Sequence, residues 1–329
     1  MTNLRARPVE IRWHSGLPVY ASEAFLRTTG TEYGWIGGLA DSGKLRCFLP
    51  YTVIRKAGFR LVRFRLATVS LDDELNVGDE KLFLKHATEC LCSTGVDMIM
   101  PGANAAVFRT YPDGAVAAPY GTFIKDLRQS EECLMKEIHA TFRYNIRRAT
   151  REGVQIKEGL EHLDTAYALI AETLGRSGQP FRQYNDFRNA ILSLAEQVRI
   201  LVAEHEGVCQ GCMVAPFSEH SAYTWYCGSR REPVIGAMHL LHWEAIRRFR
   251  QMGVKHFDFQ GVRIDPEKGS KQEGIRHFKS CFGGRSVEGY MWKYALRPVK
   301  SAAYDVAVRL LKGGDIVDIE RQKLVRSVA

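Results

Sequence analysis

The chain has 329 residues, 45 % hydrophobic and 25 % charged, which are the proportions of an ordinary globular protein and exclude a disordered, coiled-coil or collagen-like one. At about 150 residues per domain the length predicts two domains, and no apolar run reaches the roughly 18–20 residues of a membrane-spanning helix. Lys and Arg (46) exceed Asp and Glu (37), and the net charge of +9 suits an anionic partner (RNA, a nucleotide diphosphate or an anionic membrane face) as well as plain solubility.

The start, Met-Thr-Asn-Leu-Arg-Ala-Arg-Pro, lacks the apolar core of a signal peptide, so a cytoplasmic location is expected. Eight cysteines in a chain of this length do not define a disulfide scaffold. Cys209-Gln-Gly-Cys212 is a lone CxxC and Cys90-Leu-Cys92 lacks chelating spacing, so reduced, mostly buried thiols and no metal site are expected.

In chain order, residues 33–40 and 45–53 read as the two strands of a hairpin around the turn Asp41-Ser42-Gly43, and 59–69 as a third strand. A helix is expected over 80–92, a buried strand over 96–100 and a short strand over 122–127. Ser130 then caps one helix that runs to Gly153, with Leu134, Ile138, Phe142, Ile146 and Ala149 as its apolar stripe. On another face Arg143, Arg147 and Arg151 recur every four residues, either as a solvated basic face or as a row that meets phosphates. Helices follow at 160–175 and 184–196, strands at 199–204, 211–217 and 222–227, a long helix at 237–252 and a strand at 254–259. Strands, helix, strand, helix, strand thus occur twice, which points to a duplicated α+β architecture.

No G-x-S-x-G elbow, Walker A sequence or H-E-x-x-H is present, and Gly37-Gly38, Gly283-Gly284 and Gly313-Gly314 do not match a dinucleotide fingerprint, so hydrolase, kinase and dehydrogenase readings start weak. The segment 226–237 resembles the pyrophosphate-binding turn of acetyl-CoA-dependent N-acetyltransferases. In Arg231-Glu232-Pro233-Val234-Ile235-Gly236-Ala237, however, Val234 stands where the motif has its first glycine and Pro233 offers no N–H.

Five further segments share one resemblance: Arg147-Arg148-Ala149-Thr150-Arg151-Glu152-Gly153-Val154, Val202-Ala203-Glu204-His205-Glu206-Gly207, Tyr226-Cys227-Gly228-Ser229, Phe257-Asp258-Phe259-Gln260-Gly261, and His277-Phe278-Lys279-Ser280-Cys281-Phe282-Gly283-Gly284. In order and spacing they resemble the Fem family of aminoacyl-tRNA-dependent peptidyltransferases, over about residues 140–295. The last segment, similar to the family's F-K-x-x-F-G, is the most specific.

The resemblance implies two tandem GNAT-like (N-acetyltransferase-like) domains of mixed sheets flanked by helices, with no coiled-coil arm. The expected boundaries are 1–150, 151–296 and a C-terminal helical segment, 297–329, packing back on the first domain. It implies transfer of an amino acid from aminoacyl-tRNA, with no other cofactor, to the amine of a small peptide or UDP-linked acceptor, in cell-wall or peptide natural-product synthesis. Lys279, with Phe278, would be catalytic, the lysine stabilising the oxyanion of aminolysis. Arg182, Tyr226 and Asp258 would bind the acceptor, and Arg143, Arg147 and Arg151 the tRNA. Each also has a purely structural alternative. Pro101-Gly102-Ala103-Asn104 stands where some compact members place a carboxylate, and no first-domain lysine matches the one that meets the acceptor phosphate; Lys44 and Lys56 lie nearby in sequence. No transmembrane segment is expected, and the charge allows peripheral membrane contact. The rival readings are an acyl-CoA-dependent N-acyltransferase and a non-catalytic RNA-binding module.

Overall fold

The computed structural model describes residues 4–71 and 75–328. The strands in chain order are β1 (Arg5–Val9), β2 (Glu32–Leu39), β3 (Leu45–Lys56), β4 (Phe59–Phe64), β5 (Val69–Ser70), β6 (Met98–Ile99), β7 (Val116–Asp126), β8 (Gln155–Glu158), β9 (Val198–His205), β10 (Val208–Pro216), β11 (Ser221–Tyr223), β12 (Tyr226–Ser229), β13 (His256–Asp258) and β14 (Arg285–Ala295). The helices are α1 (Glu23–Arg27), α2 (Val77–Cys92), α3 (Glu131–Glu137), α4 (Ala140–Arg151), α5 (Leu163–Gly175), α6 (Tyr184–Leu194), α7 (Ala237–Gln251), α8 (Lys271–Ser280), α9 (Pro298–Lys312) and α10 (Ile316–Val328). Several start on a side-chain cap: Ser22, Asn76, Ser130 and Ser270 each accept from the backbone N–H three residues on.

Two sheets result, a large mixed one and a small antiparallel one. The ten-stranded one runs β1-β2-β3-β4-β6-β14-β7-β13-β11 with β5 paired to β3, and the four-stranded one runs β12-β10-β9-β8. The large sheet draws β11, β13 and β14 from beyond residue 150, and β14 pairs along its length with β7 (Arg285 opposite Ile124, Lys293 opposite Val116). α9 and α10 pack against β14, and α10 also against β7. One core lies where α4 and α7 cover the sheets, another beneath α5 and α6, and a third beneath α2.

The strand expected over 122–127 is longer, beginning at Val116, and in three further places a tertiary contact overrides local periodicity. The helix expected from Ser130 to Gly153 is two helices. Ile138 is extended and His139 gives its N–H to the Cys281 carbonyl at 2.8 Å, while Gly283 sits so close that a Cβ there would lie 2.5 Å from the Glu137 carbonyl. The stripe Leu134, Ile138, Phe142, Ile146 and Ala149 is nonetheless buried throughout. The strand expected over 59–69 stops at Phe64, where Arg65 turns to bond Thr52 and Thr29. The strand expected over 222–227 divides: β11 lies parallel to β13 in the large sheet and β12 antiparallel to β10 in the small one. Of the eight cysteines, all unpaired, Cys47, Cys212 and Cys281 are buried while Cys92 and Cys133 are exposed, fewer buried than expected.

Candidate active site

The division of that strand opens the site. Past Tyr223 the two sheets splay, with β12 leaving on one side and the turn Gln260-Gly261 after β13 on the other. Gln260 has a left-handed backbone, φ +53°, uncommon for a residue with a side chain. Its amide donates to the Asp258 carboxylate at 2.7 Å, and Gly261 gives its N–H to the Asn104 carbonyl at 3.1 Å. Only glycine fits at 261, because a Cβ would fall 1.7 Å from the Tyr120 hydroxyl.

Into this splay points Lys279, in the last turn of α8. Its ammonium donates to the Gln260 carbonyl at 2.6 Å and the Gly261 carbonyl at 2.9 Å, and lies close enough to the Cys227 thiol on β12 for the two to perturb one another. Burial lowers the Lys279 pKa to about 8, against the opposing pull of Cys227 and Asp258. Burial likewise pushes the Cys227 thiol up to about 12. The preceding Phe278 packs among Phe142, His239, His242 and Phe282, with ring centroids 5.0–5.5 Å away, and so fixes the direction of the turn that carries Lys279. Asp258 is buried, accepts from the Thr122 hydroxyl at 2.6 Å, and is raised above the usual carboxylate range by burial.

From Gln260 the polar chain continues: its side-chain amide donates to the buried Tyr20 hydroxyl, and Tyr20 stacks on Tyr223 at 4.3 Å. Tyr226 is half-buried against Phe181 and Trp225 and lies within electrostatic reach of Arg63 and Arg65. The Arg182 guanidinium sits over the Trp225 ring at 5.5 Å and forms one wall of a cleft of about 400 Å³ with Arg27, Thr28, Thr29, Asp186 and Asn189.

Arg63 and Arg65 escaped the sequence reading. Arg63 lies near the end of β4 and Arg65 just past it, close enough for the Arg63 charge to act on Arg65. Arg65 is buried and donates to the Thr52 hydroxyl and the Thr29 carbonyl, so it underlies the cleft that Arg182 walls. Burial foremost, and with it the neighbouring Arg63 and Arg182 charges, lowers its pKa to about 9. Arg63 is also lowered by burial, and its Nε is buried without a hydrogen-bond partner. Among the described residues none of the three has a carboxylate partner. The only signal in the sequence was an alternation of arginine with apolar residues in Arg63-Phe64-Arg65. Lys56, by contrast, stands exposed at the tip of the β3–β4 hairpin, away from this cluster.

The arginine row on α4 divides. Arg143 turns back to the carbonyls of Lys136 and Ile138, closing the end of α3, whereas Arg147 and Arg151 are exposed with no ion-pair partner among the described residues. Alongside α4 the start of α7 is covered. Gly236, at φ +89°, packs so tightly on α4 that a Cβ would lie 2.2 Å from the Asn145 carbonyl. The Val234 amide is already taken by the Gln210 side chain at 3.1 Å.

The acetyltransferase (GNAT) domain family matches residues 137–279. No curated protein matches the chain in sequence. Among solved structures the chain is similar to FemX, at 14 % identity and TM-score 0.67, covering 90 % of this chain and 99 % of that one. It is also similar to the C-terminal domain of a putative lysylphosphatidylglycerol synthetase from Agrobacterium fabrum, at 16 % identity and TM-score 0.55, covering 87 % and 91 %. The fold is therefore GNAT-like, two such units in tandem, and along its length it is similar to that of FemX. Among the described residues no helix is long and apolar enough to cross a membrane.

Proposed function

We propose that the chain is an aminoacyl-tRNA-dependent aminoacyltransferase that joins the amino acid of a charged tRNA to the amine of an anionic, phosphate-bearing acceptor. The observation that carries this reading is the Lys279 ammonium, enclosed in the splay between the sheets and bonded to two backbone carbonyls. An ammonium has three N–H donors, so one remains for a reacting oxygen. In the reaction the acceptor nitrogen attacks the ester carbonyl, a C–N bond forms, and the C–O bond to the ribose breaks. The amine proton ends on the departing ribose oxygen or in solvent. No protein nucleophile is needed. Lys279 meets the negative charge on the tetrahedral oxygen, a contribution typically worth about 10²–10³ in rate.

Arg63, Arg65 and Arg182 supply positive charge without a counter-ion within the described residues, and buried uncompensated charge is unfavourable until an anion arrives. Arg182 and Tyr226 flank the acceptor, Asp258 holds the Gln260 turn, and Phe278 aims Lys279. Arg147 and Arg151 face tRNA phosphates, with Arg143 bracing the helix end. No cofactor besides the charged tRNA is required by this scheme, and a cytoplasmic setting supplies it. The covered start of α7 disfavours the acyl-CoA reading, because a pyrophosphate cradle needs free amides at a helix N-terminus.

The test uses purified protein, radiolabelled aminoacyl-tRNAs and candidate amines including UDP-MurNAc-pentapeptide, with acetyl-CoA in parallel. RNase-sensitive transfer of label that disappears in Lys279→Ala is expected. Acylation from acetyl-CoA that survives RNase would overturn the reading.

A further inference from the structure

α9 is inside out for a surface helix. The side it turns to the protein carries Ser301, Tyr304, Asp305 and Val308. Ser301 donates to the Asp97 carbonyl at 3.1 Å, the Tyr304 ring meets Phe59 at 5.3 Å, and Asp305 accepts from the buried Lys293 ammonium at 3.1 Å. The opposite side is apolar and bare: Val299 and Leu310 are 85 % and 82 % exposed and Val306 is 55 % exposed, and Leu311, in the last turn beyond the flank that Lys300 marks, is also 82 % exposed. Ala302, Ala303 and Ala307 fill in between, also exposed. Elsewhere among the described residues no large apolar side chain exceeds 53 %. A helix that shows water its apolar stripe is unusual, since such stripes ordinarily face a core.

The charges around the stripe say what covers it. At 100° per residue Lys300 and Arg309 fall on its two flanks, while Arg297 and Lys312, at the ends, lie toward the protein-facing side. Lys300 and Arg297 pair with Asp97, and Arg309 with Asp318, at 3.1–3.7 Å, but these carboxylates lie beneath the helix, 2 % and 7 % exposed, while the cations are 49–60 % exposed. Lys312 has no ion-pair partner among the described residues. Asp305 is the only acid on α9, and it is turned inward. The outward rim is thus wholly cationic. A second copy of the same helix would set those cations against each other, and RNA would leave the apolar stripe unused. An anionic lipid surface satisfies both features at once.

We propose that α9 docks this chain on an anionic bilayer, lying flat in the interface with Val299, Val306 and Leu310 among the acyl chains and Lys300 and Arg309 among the headgroups. The proposal stands independently of the reaction assigned to the Lys279 site. It gives a positional reason for the exposed stripe, and it would hold the enzyme's surface beside acceptors or products that partition into membranes.

The experiment is co-sedimentation of the full chain with vesicles of phosphatidylcholine alone or with 30 % phosphatidylglycerol (about one lipid in three anionic, a composition chosen to give a negative surface potential). Expected is binding to the anionic vesicles that weakens with salt and falls at least tenfold in the double variant Val306→Asp, Leu310→Asp. Both positions are solvent-exposed, so the variant should melt like the parent. Arg309→Gln, which leaves the stripe intact and Asp318 still bonded to Lys293, should weaken anionic-vesicle binding by roughly fivefold, the effect of about one cation near such a surface. Failure of the parent to sediment with anionic vesicles overturns the proposal, as does equal binding by the double variant. Reversible dimerisation that the double variant abolishes, without vesicle binding, would assign the stripe to a second copy instead.

Discussion

The Gln260 carbonyl accepts a hydrogen bond from the Lys279 ammonium at 2.6 Å, although the residues are nineteen apart in sequence and belong to different elements. Two features make this contact. Gln260 adopts a left-handed backbone, held by its own N–H on Asp258, and α8 is fixed at its start by the Ser270 cap and by Glu273, which accepts from the Gly269 amide at 2.6 Å. The lysine is thereby held rigidly at the opening between the sheets, with its charge partly desolvated, the arrangement in which an electrophilic donor is most effective.

Lys279→Ala should lower turnover by about 10²–10³ while leaving acceptor affinity within about threefold, because the lost interaction forms mainly in the transition state. Single-turnover rates and equilibrium binding on the same preparation separate the two. A variant with full turnover would remove Lys279 from the mechanism.

The lowered Lys279 pKa has opposite consequences for activity and stability. Turnover should decline as pH rises through about 8, where the ammonium loses its proton. For stability, the folded pKa lies below the ordinary lysine value of 10.5, so between about 8 and 10.5 the unfolded chain binds the proton and the folded chain does not. The stability of the parent relative to Lys279→Ala should therefore improve across that window. Denaturant titrations from neutral to alkaline pH check the sign.

Inorganic pyrophosphate should raise the melting temperature by binding at the arginine cluster. Arg182→Ala should weaken that binding by about 10–100-fold, in line with the roughly 1.5–3 kcal/mol of a charge-assisted hydrogen bond. Calorimetric titration measures it. Unchanged affinity in the variant would place the anion elsewhere.

Gly236→Ala should destabilise the fold by at least about 2 kcal/mol, since it adds left-handed backbone strain to a collision with the Asn145 carbonyl 2.2 Å away. Gly253, at φ +79° with open space where its Cβ would stand, is the control and should lose only about 1 kcal/mol. Similar losses at both positions would show that α4 yields easily to the start of α7.

Lys293→Ala should be strongly destabilising at neutral pH, by about 3–5 kcal/mol, because Asp305, Asp315 and Asp318 converge on the lysine at 2.9–3.1 Å. Burial pushes Asp318 up, but its bonds to Lys293 outweigh this and hold it below the usual carboxylate range. In the parent that contribution is present above the carboxylate range and is lost as pH falls. In the variant, protonation relieves the repulsion, so the deficit should shrink toward pH 4. Melting curves at both pH values decide it, and a pH-independent deficit would contradict the account.

Part of the candidate site was readable without coordinates. The His277–Gly284 segment singles out Lys279, and the apolar stripe from Leu134 to Ala149 marks the inner side of α3 and α4, because both signals are carried by neighbouring residues. That Arg63 and Arg65 join Arg182, which the sequence did single out, was not readable, since nothing local tells a buried arginine from an exposed one. The break at Ile138 was equally hidden, because it answers to Cys281 and Gly283, more than a hundred residues on.

The sequence by itself determined which stretches are helical or extended, through period and capping, and through its motif order it determined the type of fold. Only the tertiary structure decided which way amphipathic elements face and where strands change sheets. By pattern alone the stripe Val299, Val306, Leu310 would be the buried side of α9. It is exposed because Lys293, buried on β14, needs the carboxylates of Asp305, Asp315 and Asp318, and α9 turns Asp305 inward to meet it. Periodicity is a property of one segment, whereas burial is set by the partner across the interface, and that partner is chosen by charges far away in the chain.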